Sequence, residues 1–313
     1  MDDSNYRIGI DVGGTFTDIV AVSDKGTVIF SKAPSTPADP SIGGMDAIAR
    51  LSHELRTESA VLLSKTERIV HGTTVATNAL LERKGAKTGL LTTIGHRDVL
   101  EMREGLKDDR YNMRLAAPET LVPRYLRLGV KERIRPDGSI HVPLDNDSLD
   151  VAIEKLKEAD VTSIAVCYLH AYKESKHEKE TRARIESKLP GVSVSLSSEV
   201  FPEIKEYERV STTVVNAYVR PVVEKYLRKL GDRLRETGYQ GPVLIILSHG
   251  GVAPIDEAVR LAAGTVLSGP AGGVAGSRYG SSLIGAENLV PFDMGGTSTD
   301  ISMIVNGEPA LSS

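Results

Sequence analysis

The sequence predicts an α/β protein. Strand-like and helix-like patterns alternate along its length, and its apolar runs are short and β-branched. One glycine-rich octapeptide also occurs twice, each time between two such runs.

The elements are expected as follows. Tyr6 to Asp11 reads as a strand, Gly13-Gly14 as a turn, and Thr17 to Val22 and Thr27 to Ser31 as two more strands, so an antiparallel meander opens the chain. Ile42 to Leu55 has helical spacing, and Arg68 to His71 is a short strand. A helix from about Thr74 to Arg83 is expected to stop at Gly85 as its C′ glycine. Thr88 to Thr93 is a strand. Gly105 to Asp145 is polar, arginine-rich and punctuated by Pro118, Pro123, Pro136 and Pro143. It predicts a surface insertion with one hairpin around Asp137-Gly138. Leu149 to Ala159 is helical, Ser163 to Leu169 a buried strand, Lys176 to Leu189 a charged helix and Val192 to Leu196 a strand. A long helical region runs from about Pro202 to Glu236, with a kink or break expected at Pro221. Val243 to Leu247 is a strand, Pro254 to Ala262 a short helix, and Leu289 to Asp293 a further strand.

Composition bounds the function. The 313 residues are 40% hydrophobic and 26% charged with a net charge of -4, which offers no basic stripe for nucleic acid and no polybasic membrane patch. Cys167 is the only cysteine, so intramolecular disulfides and cysteine-ligated metals are excluded. A reducing cytoplasm is the expected compartment. The first residues lack the basic and apolar regions of a signal peptide.

The repeat carries the chemistry. Asp11-Val12-Gly13-Gly14-Thr15-Phe16-Thr17-Asp18 returns as Asp293-Met294-Gly295-Gly296-Thr297-Ser298-Thr299-Asp300, identical at six of eight positions. Two glycines permit positive φ and close approach to a ligand. Their amides and the following hydroxyls suit phosphate oxygens. The leading aspartates suit hydrated Mg²⁺, which prefers carboxylates and waters. Two such turns would clamp the phosphates of ATP, as phosphoryl transfer requires. The bland alternative is a pair of ordinary hairpin turns.

With these motifs the chain resembles the actin-like ATPase superfamily, and within it the hydantoinase A/oxoprolinase family. The resemblance rests on Gly9 to Asp18, His71-Gly72-Thr73-Thr74-Val75-Ala76-Thr77-Asn78-Ala79, Tyr207-Glu208-Arg209 with Thr212 to Tyr218, Ser268-Gly269-Pro270-Ala271-Gly272-Gly273, and Asp293 to Asp300. It implies a ribonuclease-H-like actin-type ATPase domain over residues 1–267 with an insertion at about 105–145. A connection at 268–285 and the first hairpin of a second such domain, truncated, at 286–313 would follow. The implied cofactors are ATP and Mg²⁺, the metal held through water by Asp11 and Asp293. Catalysis would fall to Asp11, Asp293 and Thr15. Phosphates would be gripped by Gly13, Gly14, Thr15, Thr17, Gly295, Gly296, Thr297, Ser298 and Thr299. The implied reaction is phosphorylation of the carbonyl oxygen of a cyclic amide, of hydantoin or 5-oxoproline type, to drive ring opening. An ATP-dependent ketone carboxylase of acetone or acetophenone type is the second reading, and a chaperone-like ATPase the third. A B-type hydantoinase subunit or domain is the implied partner, in a hetero-oligomer. Two departures stand out. His96 occupies a position where the family pattern leads one to expect an aromatic such as Phe. Family members are also much longer, so the adenine-binding segment is expected beyond Ser313 and the fragment alone is expected to be inactive.

Other residues admit two readings. His71, Thr73, Thr74 and Asn78, at a strand-to-helix junction, suit either substrate or phosphate contact, or a capped helix beside a satisfied core histidine. Ser268 to Gly273 suits nucleotide contact or, preferably, tight packing of an interdomain helix. Cys167 is expected to be a buried structural thiol, and His177 to lie at a helix start rather than in a metal pair with His170.

Overall fold

Alternating burial along β1 (Tyr6–Val12) turns Tyr6, Ile8, Ile10 and Val12 inward and makes this strand the middle of a sheet. The structure, a computed structural model, describes residues 4–36, 38–105, 109, 111–116, 118–294 and 299–310. β2 (Phe16–Ser23) and β3 (Val28–Pro34) complete an antiparallel meander, as the alternation predicts. α1 (Pro40–Glu54) begins on a proline, which its missing N–H permits at a helix start. It buries Ala47, Ile48 and Leu51. α2 (Ser59–Ser64) leads into β4 (Thr66–Thr73), which runs parallel to β1 with Asp11 opposite Gly72 and Val12 opposite Thr73. α3 (Val75–Leu81) ends earlier than expected, and the left-handed residue beyond it is Arg83, at φ 56°, not Gly85. Gly85 has another reason to be glycine: a Cβ there would stand 2.1 Å from the Tyr218 ring.

Contacts divide the chain into two units, Met1–Arg83 with Val222–Ser313, and Lys84–Pro221. The second unit opens with β5 (Thr88–Thr93) and the single turn α4 (Val99–Met102). The expected surface insertion is in part core. β6 (Arg127–Val130) joins β5 in parallel, and Val122, Leu126, Val130 and Ile134 are buried. Its arginine-rich look misleads because Arg127 is itself only 2% exposed, donating to the Val122 carbonyl and to Glu101. The hairpin of β7 (Arg133–Ile134) and β8 (Ile140–Val142) does enclose Asp137-Gly138, with Gly138 at φ 87°.

α5 (Asn146–Glu158) is capped by Asp145, whose carboxylate accepts from the Ser148 amide at 2.8 Å. β9 (Ser163–Cys167), α6 (Lys176–Lys188), β10 (Ser193–Leu196) and α7 (Ser197–Val200) follow. The four strands form a parallel sheet in the order β10-β9-β5-β6, over a core that includes Leu90, Leu91, Ile153, Leu156, Ile164, Val166 and Val214. Cys167 is buried there, and burial pushes its thiol up to about 12, as suits an inert structural cysteine. α8 (Glu206–Glu236) runs through Pro221 without the expected break.

The chain then returns to the first unit with β11 (Val243–Ile246), parallel to β4, and β12 (Val252–Pro254), antiparallel to β11. The sheet order is β12-β11-β4-β1-β2-β3. An antiparallel meander extended from β1 by parallel strands is the ribonuclease-H-like arrangement that the family resemblance implies. α9 (Ile255–Arg260) and α10 (Ser268–Ile284) precede two small hairpins, β13 (Phe292–Met294) with β14 (Thr299–Ile301), and β15 (Ile304–Val305) with β16 (Glu308–Pro309). Among the described residues no helix is long and apolar enough to cross a membrane.

Candidate functional site

The two copies of the repeat fold alike where both are described. In the first hairpin Asp11 lies opposite Asp18 and Val12 opposite Thr17. In the second, Asp293 lies opposite Asp300 and Met294 opposite Thr299. Each strand pair therefore delivers its leading aspartate to the same point of a β-turn-β unit. Gly295, Gly296, Thr297 and Ser298 lie outside the described residues.

Both aspartates face α10. A Cβ on Gly269 would lie 3.7 Å from Asp11 Oδ1, and one on Gly273 would lie 4.0 Å from Asp293 Oδ2. Positions 269 and 273 are one helical turn apart and share a face. Small residues at both let two carboxylates approach one helix side by side. On the opposite flank, a Cβ on Gly72 would stand 2.9 Å from Asp11 Oδ1, so β4 also needs glycine where it passes the carboxylate.

The electrostatics follow. Loss of hydration, then the charges of Asp18 and Asp293, hold the Asp11 carboxyl above its usual range. Asp11 keeps solvent contact. No lysine or arginine pairs with Asp11 or Asp293 among the described residues. Asp18 has its cation in Lys32, at 3.0 Å.

The first turn is built differently from the sequence expectation in two respects. Neither Gly13 nor Gly14 adopts positive φ. Gly13 is required instead by close approach: its amide donates to the Phe16 carbonyl at 3.0 Å, and a Cβ would lie 3.0 Å from that same oxygen. Thr17 is fully buried, and its hydroxyl sits 3.1 Å from Ser35 Oγ, which in turn donates to the Gly13 carbonyl at 2.7 Å. Its hydroxyl, expected to face a phosphate, is turned inward to brace the loop. Gly14 and Thr15 remain exposed at the tip. The Thr15 carbonyl is fixed by the Ser35 amide at 2.9 Å.

His71, on β4, is fully buried. Its Nδ1 lies 3.2 Å from the Ile10 carbonyl, which can only accept, so Nδ1 carries the proton. Nε2 then accepts from the Tyr226 hydroxyl at 2.7 Å. Burial pushes the imidazole down to about 4, so it is neutral at physiological pH. Thr73 Oγ1 accepts from the Val75 amide at 3.2 Å, at the junction of β4 and α3, while Thr74 Oγ1 donates to the Val12 carbonyl at 3.2 Å. Asn78 Nδ2 donates back to Thr74 Oγ1 at 3.2 Å. His71 and Thr74 thus tie β4 and the start of α3 to the end of β1, just behind Asp11, while Thr73 and Asn78 brace the β4–α3 junction.

Three further contributors hold the site, Ser268 from within the Ser268–Gly273 segment and Leu267 and Tyr226 outside every motif. Ser268 is fully buried, donates to the Thr73 carbonyl at 2.9 Å and accepts from the Thr73 amide at 3.3 Å, fixing the start of α10 against β4. Leu267, just before it, takes a left-handed φ of 60° and donates its amide to Thr77 Oγ1 at 3.0 Å. Tyr226 holds His71 from a position 155 residues away in sequence, where no local pattern could announce it.

The hydantoinase/oxoprolinase N-terminal region matches residues 7–189, and the hydantoinase/oxoprolinase region matches residues 209–313. The caprolactamase α subunit of Pseudomonas jessenii is 38% identical over 314 residues, covering 100% of this chain and 45% of that subunit. The acetophenone carboxylase γ subunit of Aromatoleum aromaticum is 36% identical, covering 97% of this chain and 43% of its own length. Among solved structures, nucleotide-free acetone carboxylase, described for ATP-dependent acetone carboxylation, superposes with a TM-score of 0.89 at 30% identity, over 97% of this chain and 44% of that one. The chain thus spans less than half the length of these relatives.

Proposed function

Because the chain belongs to the hydantoinase/oxoprolinase family, we propose that it forms the phosphate-gripping part of an ATP-dependent enzyme that activates a cyclic amide for ring opening. One observation carries this reading: the two aspartate-led hairpins meet on one face of α10, within reach of each other's charge.

Asp11 and Asp293 are the groups that would hold Mg²⁺, through water. The fit is electrostatic: two carboxylates brought together, one with a raised pKa, have no basic partner among the described residues and are relieved by a divalent cation. Mg²⁺ would supply neutralisation of phosphate charge. Gly13, Gly14 and Thr15 would present the first turn to the nucleotide, with Gly295, Gly296, Thr297, Ser298 and Thr299 doing so from the second. Thr17, His71, Thr73, Thr74 and Asn78 act as positioning residues that hold β1 and β4 in place.

The chemistry requires ATP because an unstrained amide is a poor electrophile. Transfer of the γ-phosphoryl group to the carbonyl oxygen breaks its bond to ADP and makes a leaving group. Water then adds to the carbon, the C–N bond breaks with the nitrogen taking up a proton to leave an acyl phosphate, and a second water hydrolyses this to the ring-opened acid and phosphate. Similarity to the caprolactamase α subunit supports this reading. The superposition on acetone carboxylase supports a second, in which the activated carbonyl belongs to a ketone that is carboxylated.

Residues 286–313 are assigned to the opening of a second ATPase half, with 268–285 as its connection and 1–267 as the first half. Phe292, Met294 and Ile301, on the β13–β14 hairpin, are exposed. A B-type partner subunit and a cytoplasmic location complete the proposal, the latter resting on the single buried thiol. The test is ATP turnover by the full-length protein with its partner. Stimulation by 5-oxoproline, a hydantoin or a lactam supports ring opening, and bicarbonate-dependent stimulation by a ketone supports carboxylation. Turnover that none of these alters overturns both.

A further inference from the structure

The second unit holds a cavity that the nucleotide reading leaves unused. Its volume is about 520 Å³, inside the roughly 300–1,000 Å³ of sites that take small organic molecules. Every residue that lines it belongs to the second unit. Its walls are the turn after β5, the edge strand β6 with the turn before it, and one face of α5.

The apolar part of the lining follows from helix spacing and from one close approach. On α5, Ser148, Val151, Ala152 and Lys155 recur three and four residues apart and so share a helix face. Leu149, Ile153 and Leu156 are buried in the core instead, while Val151 is left 56% exposed on the cavity side. Across the cavity Ile94 is 60% exposed, although its amide is fixed to the Val130 carbonyl at 2.9 Å. A Cβ on Gly129 would stand 3.0 Å from Ile94 Cα, so glycine lets β6 close up on this turn. With half-buried Leu128, these side chains form an aliphatic lining carried on a helix and a sheet edge.

The charges are one-sided. Arg97, Arg124 and Lys155 line the cavity, and Asp98 is the one acidic residue beside them. Asp98 is already engaged, since Arg124 donates to its two oxygens through Nε at 2.9 Å and Nη2 at 3.0 Å. The Arg97 Nε lies 4.0 Å from the same carboxylate, too far for a hydrogen bond, and buried Arg127 brings a third guanidinium to 3.7 Å. Lys155 has no ion-pair partner among the described residues. Surplus positive charge therefore faces the cavity, in a chain whose net charge is -4. A small inorganic anion would leave Ile94, Leu128 and Val151 uncovered. A neutral hydrocarbon would leave Arg97 and Lys155 without a counter-charge. A carboxylate on a short aliphatic chain satisfies both halves of the lining.

We propose that this cavity binds an aliphatic carboxylate, its chain against Ile94, Leu128 and Val151 and its oxygens accepting from Arg97 and Lys155. The site does not depend on the nucleotide reading, and either can fail without the other. Saturation-transfer NMR titrations of hexanoate, 1-hexanol and hexylammonium with the full-length protein test it. Hexanoate is expected to bind, 1-hexanol to bind about tenfold more weakly, and hexylammonium to give no signal. Lys155→Met keeps an apolar stem and removes the charge, so it should weaken hexanoate by about threefold, the effect of one exposed ion pair, and leave 1-hexanol unchanged. Arg97→Met should do the same, which keeps the test open if one variant fails to fold. Val151→Asp sets a carboxylate in the wall and should abolish hexanoate binding. Lys157→Met lies on α5 but outside the cavity, where Lys157 pairs with Glu154 at 3.2 Å, and it should change nothing. All four positions are exposed, so melting temperatures should stay close to that of the wild type. The proposal is overturned if the wild type does not bind hexanoate or binds 1-hexanol equally well. It is also overturned if both charge variants keep full affinity, or if Lys157→Met weakens hexanoate as much as Lys155→Met does.

Discussion

Acid should loosen the first unit through His71. The imidazole is fully buried between the Ile10 carbonyl and the Tyr226 hydroxyl, and its proton affinity falls from an ordinary 6.5 to about 4. Protonation would place a second proton on Nε2, against the hydroxyl hydrogen it now accepts. Because the folded-state value is depressed, the unfolded chain binds a proton at a higher pH than the folded one does. The contribution to stability is fully present above the unfolded value and is lost as pH falls from 6.5 towards 4. At pH 4.5 the loss relative to pH 7.5 comes to about 2.5 kcal/mol, a large share of the roughly 5–15 kcal/mol that stabilises an ordinary domain. The assay is denaturant unfolding at the two pH values for wild type and for His71→Gln, which cannot titrate. The wild type should lose about 2.5 kcal/mol more than the variant over this interval. Equal losses, or an NMR titration of His71 with a midpoint near 6.5, would refute the buried, neutral assignment.

Two further substitutions probe the frame around the aspartates. Gly72→Ala places a methyl group 2.9 Å from Asp11 Oδ1, so it should displace the carboxylate and weaken Mg-ATP binding by at least about tenfold with a small change in melting temperature; unchanged affinity would show that Asp11 tolerates the shift. Ser268→Ala strands the buried Thr73 amide and carbonyl and should cost about 1–3 kcal/mol in unfolding free energy, a figure that chemical denaturation reads directly.

Much of this was legible in the residues. The six-of-eight repeat announced two matching hairpins, and the described parts of both place their aspartates alike. The β-branched alternation of Tyr6 to Ser31 gave the meander. Long-range burial was not legible. Arg127 reads as surface charge until its carbonyl and carboxylate partners are known, which is why residues 105–145 looked wholly external. Pro221 marks a break on propensity alone, yet α8 continues through it, with Val219, Val223 and Leu227 buried on either side. Gly85 and Gly13 were credited to backbone freedom, whereas the constraint is a neighbour, the Tyr218 ring in one case and the Phe16 carbonyl in the other. Thr17 was credited to phosphate because its motif partners are, but a period-two strand turns it inward. Gly72, Ser268 and Tyr226 act through contacts across the fold, and no spacing rule connects them to Asp11 or His71.

The central claim is that Asp11 and Asp293 serve one nucleotide together. Calorimetric titration of Mg-ATP into the full-length protein, into Asp11→Asn, into Asp293→Asn and into the double variant tests it most directly. Shared service predicts that each single change nearly abolishes binding and that the double change adds little more, since both remove support from the same ion. Independent, additive losses, or full affinity in either single variant, would contradict it.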